Sequence, residues 1–198
     1  MLPVFVSLLL ALAANPTASR TSGELHTSPS SASTMTLYEF DAADEAAWQV
    51  INDGVMGGLS QGYVAVENGV LRFHGTLVTR GGGFTSIRTR RLVDLSDYDG
   101  VELRVRGSGR TFEVEVDDGT QRGWRRVSRR AAFETDAEWT WVQIPFSTLR
   151  TTVFGQAVSA PETDLTQVQA FGIYILDGID GDFELEVDAM RAYRDEDS

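Results

Sequence analysis

Four stretches of the chain carry side chains whose types and spacing could do chemistry. Asp177, Asp180, Asp182 and Glu184, in DGIDGDFE, could hold calcium through oxygen ligands, and the many carboxylates could include a glycosidase-like pair. Acidic turn residues closing a hairpin explain the same pattern. The segment QRGWRRVSRR, residues 121–130, sets five arginines around Trp124. A surface of guanidinium and aromatic groups suits anionic sugars, single-stranded nucleic acid or an acidic protein face. Read as one strand over 123–133, it has no purely apolar side, which describes an irregular or edge strand that uses charge to block edge pairing. The remaining two stretches, WQVINDGVMGGLSQG (48–62) and RGGGF (80–84), are glycine-rich like phosphate-cradling loops. Neither has the strand, loop and helix context or the lysine that such a loop needs.

Composition narrows the chemistry. All 17 basic residues are arginine, and against 29 acidic residues they leave a net charge of −12. Such a chain points to a GC-rich or salt-adapted source with an acidic, solubilising surface, or to a basic partner. Nucleic acid is not expected as a partner, because its phosphates would be repelled. With no cysteine, the chain has no disulfide, thiolate metal site or cysteine nucleophile. His26 and His74 are the only imidazoles, which argues against a Ser-His-Asp triad or a multi-histidine zinc site. No catalytic residue, cofactor or metal is therefore assigned.

Residues 1–34 are set apart from the rest. LPVFVSLLLALAA, residues 2–14, has the length of a signal-peptide apolar region rather than of a bilayer span, and Ala11 and Ala13 give an A-x-A site. The Ser/Thr/Pro-rich run behind it lacks the apolar residues to order itself. The expectation is an exported protein, periplasmic or extracellular, with a disordered linker and no membrane span in the mature chain. The alternative is a cytoplasmic protein that starts at Met35. Dropping residues 1–34 removes one arginine and one glutamate, Arg20 and Glu24, so the charge is the same either way.

From residue 35 to 198 the apolar residues alternate with period 2, in short runs bounded by Gly, Asp and Asn. Strands are expected at 36–40, 61–67, 69–78, 83–92, 123–133, 139–145, 168–176 and 182–193. The clearest pattern is GVELRVRGSGRTFEVEV, where Val101, Leu103 and Val105, then Phe112, Val114 and Val116, share one apolar face. Its Gly-Ser-Gly turn predicts a hairpin that pairs Val105 with Phe112 and Arg104 with Glu113. Short helical turns are expected at 41–48, capped by Asp41, and in ETDLTQVQAF, capped by Thr163. The whole describes one all-β domain, an antiparallel sandwich or jelly roll.

Five stretches together resemble the complex I intermediate-associated protein 30 family, of which this would be a bacterial member. They are WQVINDGVMGGLSQG, LRFHGTLVTRGGGFTSIRTR, DLSDYDGVELRVRGSGRTFEVEV, WTWVQIPFSTL and VQAFGIYILDGIDGDFELEVDAMRAY, which cover about residues 37–194. The resemblance implies a galactose-binding-like jelly-roll β-sandwich. It also implies a non-enzymatic assembly factor, or chaperone, that binds an intermediate of respiratory NADH:ubiquinone oxidoreductase by protein contact. No catalytic residues carry over. The motif residues that do are Asn52, Asp53, Gly54, Val55, Met56, Gly57, Gly58 and Ser60, then Gly82, Gly83, Phe84, Ser86 and Arg88. Where the family's Arg-Gly pair is expected, this chain has Phe154 and Gly155.

Asn52, Asp53, Met56, Ser60, Arg88 and Trp124 are accordingly the candidate partner-binding residues. Gly54, Gly57, Gly58, Gly82 and Gly83 are expected to be structural, with Asn52 and Asp53 ordering the loop by side-chain to backbone bonds. The alternative function is an extracytoplasmic carbohydrate-binding module with Trp124 as its platform. That reading needs an exposed indole.

Overall fold

The computed structural model describes residues 33–40 and 47–195. Within them lie fifteen strands: β1 (Thr34–Tyr38), β2 (Gln49–Asn52), β3 (Gln61–Glu67), β4 (Val70–Leu77), β5 (Thr85–Val93), β6 (Gly100–Gly107), β7 (Thr111–Asp117), β8 (Gln121–Arg122), β9 (Arg125–Arg126), β10 (Ser128–Glu134), β11 (Thr140–Pro145), β12 (Arg150–Val153), β13 (Gln156–Ala157), β14 (Val168–Ile175) and β15 (Gly181–Tyr193). One sheet runs β11-β6-β15-β4-β3, with β1 also pairing to β15, and the other runs β13-β12-β10-β7-β14-β5-β2. The sandwich expected from the alternation is the one that forms, and every pairing is antiparallel. No helix among the described residues is long and apolar enough to cross a membrane.

Alternation puts one apolar face of each sheet against the other. Phe73, Leu103, Val105 and Leu185 from the first sheet meet Ile87, Phe112, Val114 and Ile173 from the second, all essentially without solvent contact. Phe183 stands between the layers, its ring centroid 4.9 Å from Phe73 and 6.2 Å from Phe112, both edge-on. Such edge-to-face contacts add about 0.5–1.5 kcal/mol each beyond the area they bury.

The expected hairpin at 101–117 does not form. β6 pairs with β11 and β15 in one sheet, while β7 pairs with β10 and β14 in the other. Val105 and Phe112 do both face the core, but from opposite layers, because Gly107 to Arg110 carry the chain across the sandwich. Arg104 is paired with Asp188 of β15, and Glu113 with Arg130 of β10 at 3.1 Å. Alternation shows which face is buried but not which sheet a strand joins.

Arg110 holds this crossover to a second one. Its guanidinium donates to both carboxylate oxygens of Asp177, at 2.6 and 2.7 Å, and to the Ile179 and Asp182 carbonyls. Asp177 lies in the turn from β14 to β15, where the chain returns to the first sheet.

Two further expectations are corrected, and a third is not reached. The strand at 123–133 is a small β8-β9 hairpin followed by β10, which is no edge strand but lies between β7 and β12. Gly123, at φ 65°, breaks the run. The helical turn near 163 is a 3-10 turn over Leu165–Gln167, capped by Asp164 rather than Thr163, with the Asp164 side chain accepting from the Thr166 N–H. The turn expected at 41–48 falls mostly outside the described residues.

Candidate functional site

Asp53 is the centre of the first motif string. β2 delivers Asn52, the chain closes a 3-10 turn over Asp53–Met56, and Gly57 ends it at φ 85°. The Asp53 carboxylate then turns inward, where it is fully buried. It accepts from the Ser60 N–H at 3.0 Å, the Ser60 hydroxyl at 2.7 Å, the Gly83 N–H at 2.7 Å and the Phe84 N–H at 3.3 Å. Burial alone raises its pKa, but these donors outweigh that and hold it below the ordinary carboxylate value. Asn52 works in the same way, its Oδ1 accepting from the Gly62 N–H at 3.0 Å and the Thr85 hydroxyl at 2.6 Å.

The two motif strings are thus two halves of one cradle. A Cβ on Gly58 would lie 2.1 Å from the Asp53 carboxylate carbon, and one on Gly82 would lie 2.3 Å from its Oδ2. These glycines are needed for close approach. Gly57 and Gly83 are needed instead for backbone shape, at φ 85° and 113°. Nothing in the structure requires a glycine at Gly54.

This placement separates the candidate residues. Asp53 and Ser60 are buried and give their polar atoms to the loop, so they present no surface to a partner, and the Asn52 side-chain oxygen is similarly engaged. What the cradle presents is its tip, where Met56 is 60% and Leu59 67% exposed.

Arg88 belongs to a different surface, the outer face of the seven-stranded sheet. Backbone pairing aligns Gln49, Arg88, Gly172, Glu115, Arg130 and Arg150 in one row across five junctions. Because Gly172 has no side chain, the Tyr174 ring lies over it, and a Cβ there would come within 3.0 Å of the ring. The ring is held between two cations, with Arg88 5.0 Å and Arg130 4.7 Å from its centroid. Its hydroxyl donates to Glu115 Oε2 at 2.6 Å, and Ser128 donates to Oε1 of the same carboxylate. Burial, and then the adjacent Glu115 charge, push the phenol above its usual range, so it remains a donor. Arg130 is also paired with Glu113, whereas Arg88 has no carboxylate partner among the described residues and its buried Nε is unsatisfied.

Trp124 sits at the tip of the β8-β9 hairpin and is 78% exposed. Beside it is Phe154, 71% exposed, with the Arg125 guanidinium 4.9 Å from the Trp124 ring and 5.5 Å from the Phe154 ring. Phe154 and Gly155 form the two-residue turn joining β12 to β13, at φ 50° and 76°. The β3-β4 hairpin makes the same kind of turn with Asn68 and Gly69, at φ 54° and 78°, the favoured pair. A bulky aromatic in that conformation costs about 1–2 kcal/mol. No core packing offsets this at Phe154, whose ring points into solvent. Arg126, on the same hairpin as Trp124, is paired with Asp117.

The four carboxylates of DGIDGDFE do not converge. Asp177 is held by Arg110, Asp180 accepts from the Thr79 N–H, Asp182 from the Thr76 hydroxyl, and Glu184 pairs with Arg72. No group of three or more metal-ligating side chains occurs among the described residues.

Sequence reasoning missed Tyr174, Gly172 and Glu115. The spacing of Gly172 and Tyr174 puts both on one strand face, which was a usable signal. Their link to Arg88, Arg130 and Glu115 depends on strand order, which alternation does not carry. Of the two readings of 121–130, a guanidinium and aromatic surface or a charged edge strand, neither places an arginine in the interior. In fact Arg129 is only 2% exposed, donating to the Thr151 hydroxyl and the Pro161 carbonyl at 2.6 Å each and facing Asp118 at 3.6 Å.

The sequence profile described as Complex I intermediate-associated protein 30 matches residues 38–187. Two relatives, from Caenorhabditis briggsae and Caenorhabditis elegans, are each described as a probable complex I intermediate-associated protein 30, mitochondrial. Each is 28% identical over 112 residues, 54% of this chain but 33% of the relative, so the match spans a third of those proteins. Among solved structures, the family 11 carbohydrate-binding module of the Clostridium thermocellum cellulosomal cellulase Lic26A-Cel5E is similar, with a TM-score of 0.63 and 15% identity. The likeness covers 84% of this chain and 97% of the module. The agarase AgWH50C is similar with a TM-score of 0.59 and 10% identity, over 82% of this chain and 24% of the agarase. At these identities the likeness is one of fold.

Proposed function

Given that the chain belongs to the complex I intermediate-associated protein 30 family, we propose that it is a non-enzymatic binding protein that holds an assembly intermediate of respiratory complex I by protein contact. The observation that supports this reading is Arg88. It belongs to the second motif string and is stacked on Tyr174 at the outer face of the seven-stranded sheet, with no carboxylate of its own. A partner carboxylate would complete it, and arginine beside an aromatic ring is a common centre of interface energy. The exposed Met56 and Leu59 offer a second, apolar contact.

Affinity capture of the tagged protein from native membranes tests this. Recovery of respiratory-complex subunits, lost with Arg88→Glu, supports the reading, and recovery of none overturns it. Localisation bears on the same question, since an exported protein meets a different set of partners. Fractionation together with N-terminal sequencing would separate export, with a first residue near 14–20, from translation beginning at Met35.

One observation favours a second reading, carbohydrate binding. The Trp124 indole, which had to be exposed for that reading to stand, is exposed and has Phe154 for a neighbour. Titration with common glycans tests it, and a uniformly negative array would remove it.

A further inference from the structure

We propose that Trp124, Arg125 and Phe154 form a binding ledge for an anionic polysaccharide, which rests on the carbohydrate reading above and narrows it to chains that carry carboxylate or sulfate groups. Both rings are mostly exposed, and Arg125 lies close to each of them. Among the described residues no carboxylate is in ion-pair range of Arg122 or Arg125, although the whole chain carries −12. The ledge is therefore locally cationic on an acidic protein, and an anionic chain would be attracted there and repelled from most of the remaining surface.

The shape favours sugar over peptide. A pyranose can lay its C–H face on an aromatic ring while the carboxylate of a uronic acid, at the ring's edge, reaches a guanidinium beside that aromatic. The cleft between the two hairpins, about 440 Å³, is lined by Gly123, Val153, Gln156 and Val158 as well as the ledge residues. It is partly open to solvent, which leaves room for a chain to lie across it. A peptide anchor gains most of its energy in an enclosed, fully desolvated pocket, which this is not. The strained turn at Phe154 has the same implication, since it presents a ring to solvent where Asn-Gly would make the turn more easily.

Affinity electrophoresis and calorimetry of the full chain with polygalacturonate, neutral mixed-linkage β-glucan and poly-glutamate test the proposal. Polygalacturonate should bind, β-glucan at least tenfold more weakly, and Trp124→Ala and Phe154→Asn should each weaken polygalacturonate binding at least tenfold. Phe154→Asn introduces the pair already used in the β3-β4 turn, so it should fold at least as well as the parent, with a thermal midpoint unchanged or raised. Binding of β-glucan without polygalacturonate would keep the carbohydrate reading and overturn the anionic class. Binding of neither overturns both. Equal binding of poly-glutamate would reduce the effect to charge, and polygalacturonate binding unaffected by either variant would place the site elsewhere. Each of those results overturns the proposal.

Discussion

Gly82 and Asp53 determine each other: a single added carbon on Gly82 would lie 2.3 Å from the Asp53 carboxylate, which accepts from Ser60, Gly83 and Phe84. The two motif strings meet at this contact. Gly82→Ala must therefore displace the carboxylate or the loop between β4 and β5 that carries the glycine.

Asp53→Asn should lower stability by about 2 kcal/mol or more, because charge-assisted bonds contribute about 1.5–3 kcal/mol each and an amide brings two donors among donors. Gly82→Ala should be destabilising by itself. In the Asp53→Ala background it should cost much less, because the clashing group has gone. A double-mutant cycle by urea unfolding measures this, and strict additivity would contradict the contact.

The same carboxylate predicts an acid limb. Its pKa in the folded protein lies below the ordinary value, so its contribution is complete above about pH 4 and is lost as pH falls through the folded value. Asp177 behaves alike, its pKa lowered chiefly by the bonds from Arg110. Thermal midpoints should fall steeply below pH 4 in the parent and less steeply in Asp53→Asn.

Gly57→Val should cost at least about 1 kcal/mol, because φ at that position is left-handed. Gly54→Ala should be neutral or slightly stabilising, since its backbone is ordinary and the space around it is open. Thermal unfolding of the pair distinguishes motif glycines that the fold requires from one that it does not.

Arg129→Ala should destabilise by about 3–5 kcal/mol, because it leaves Asp118 buried without its cation and frees the loop at Pro161. Arg122→Ala, on the exposed hairpin, should change stability by less than about 0.5 kcal/mol. Equal effects would mean that the two arginines share an environment, contrary to the structure.

Much of the fold was legible because a strand's period is local. Leu103, Val105, Phe112 and Val114 were placed in the core by alternation alone, and all four lie there. The hairpin drawn between them was wrong because a short Gly-Ser-Gly link can close a turn or cross a sandwich, and only distant residues decide which. Here the distant residue is Asp177, which holds Arg110 at the end of the link. The site was legible as residues but not as roles. Asn52 and Asp53 were expected to bond nearby backbone, and Asp53 does reach Ser60, but it also reaches Gly83 and Phe84 on the second string. Tyr174 could not be tied to Arg88 without knowing that β14 lies between β5 and β7.

The position of β15 bears on the order in which the protein can be made. It forms ladders with β6, β4 and β1, the strands that begin at Gly100, Val70 and Thr34. Until residues 181–193 have left the ribosome, those three strands have no common neighbour and their apolar faces have no finished sheet to belong to. Folding of this layer is therefore deferred until β15 has been made, and its long-range pairings make it slow. A nascent chain halted before Gly181 would display open strand edges, a state in which binding a chaperone and aggregating compete directly.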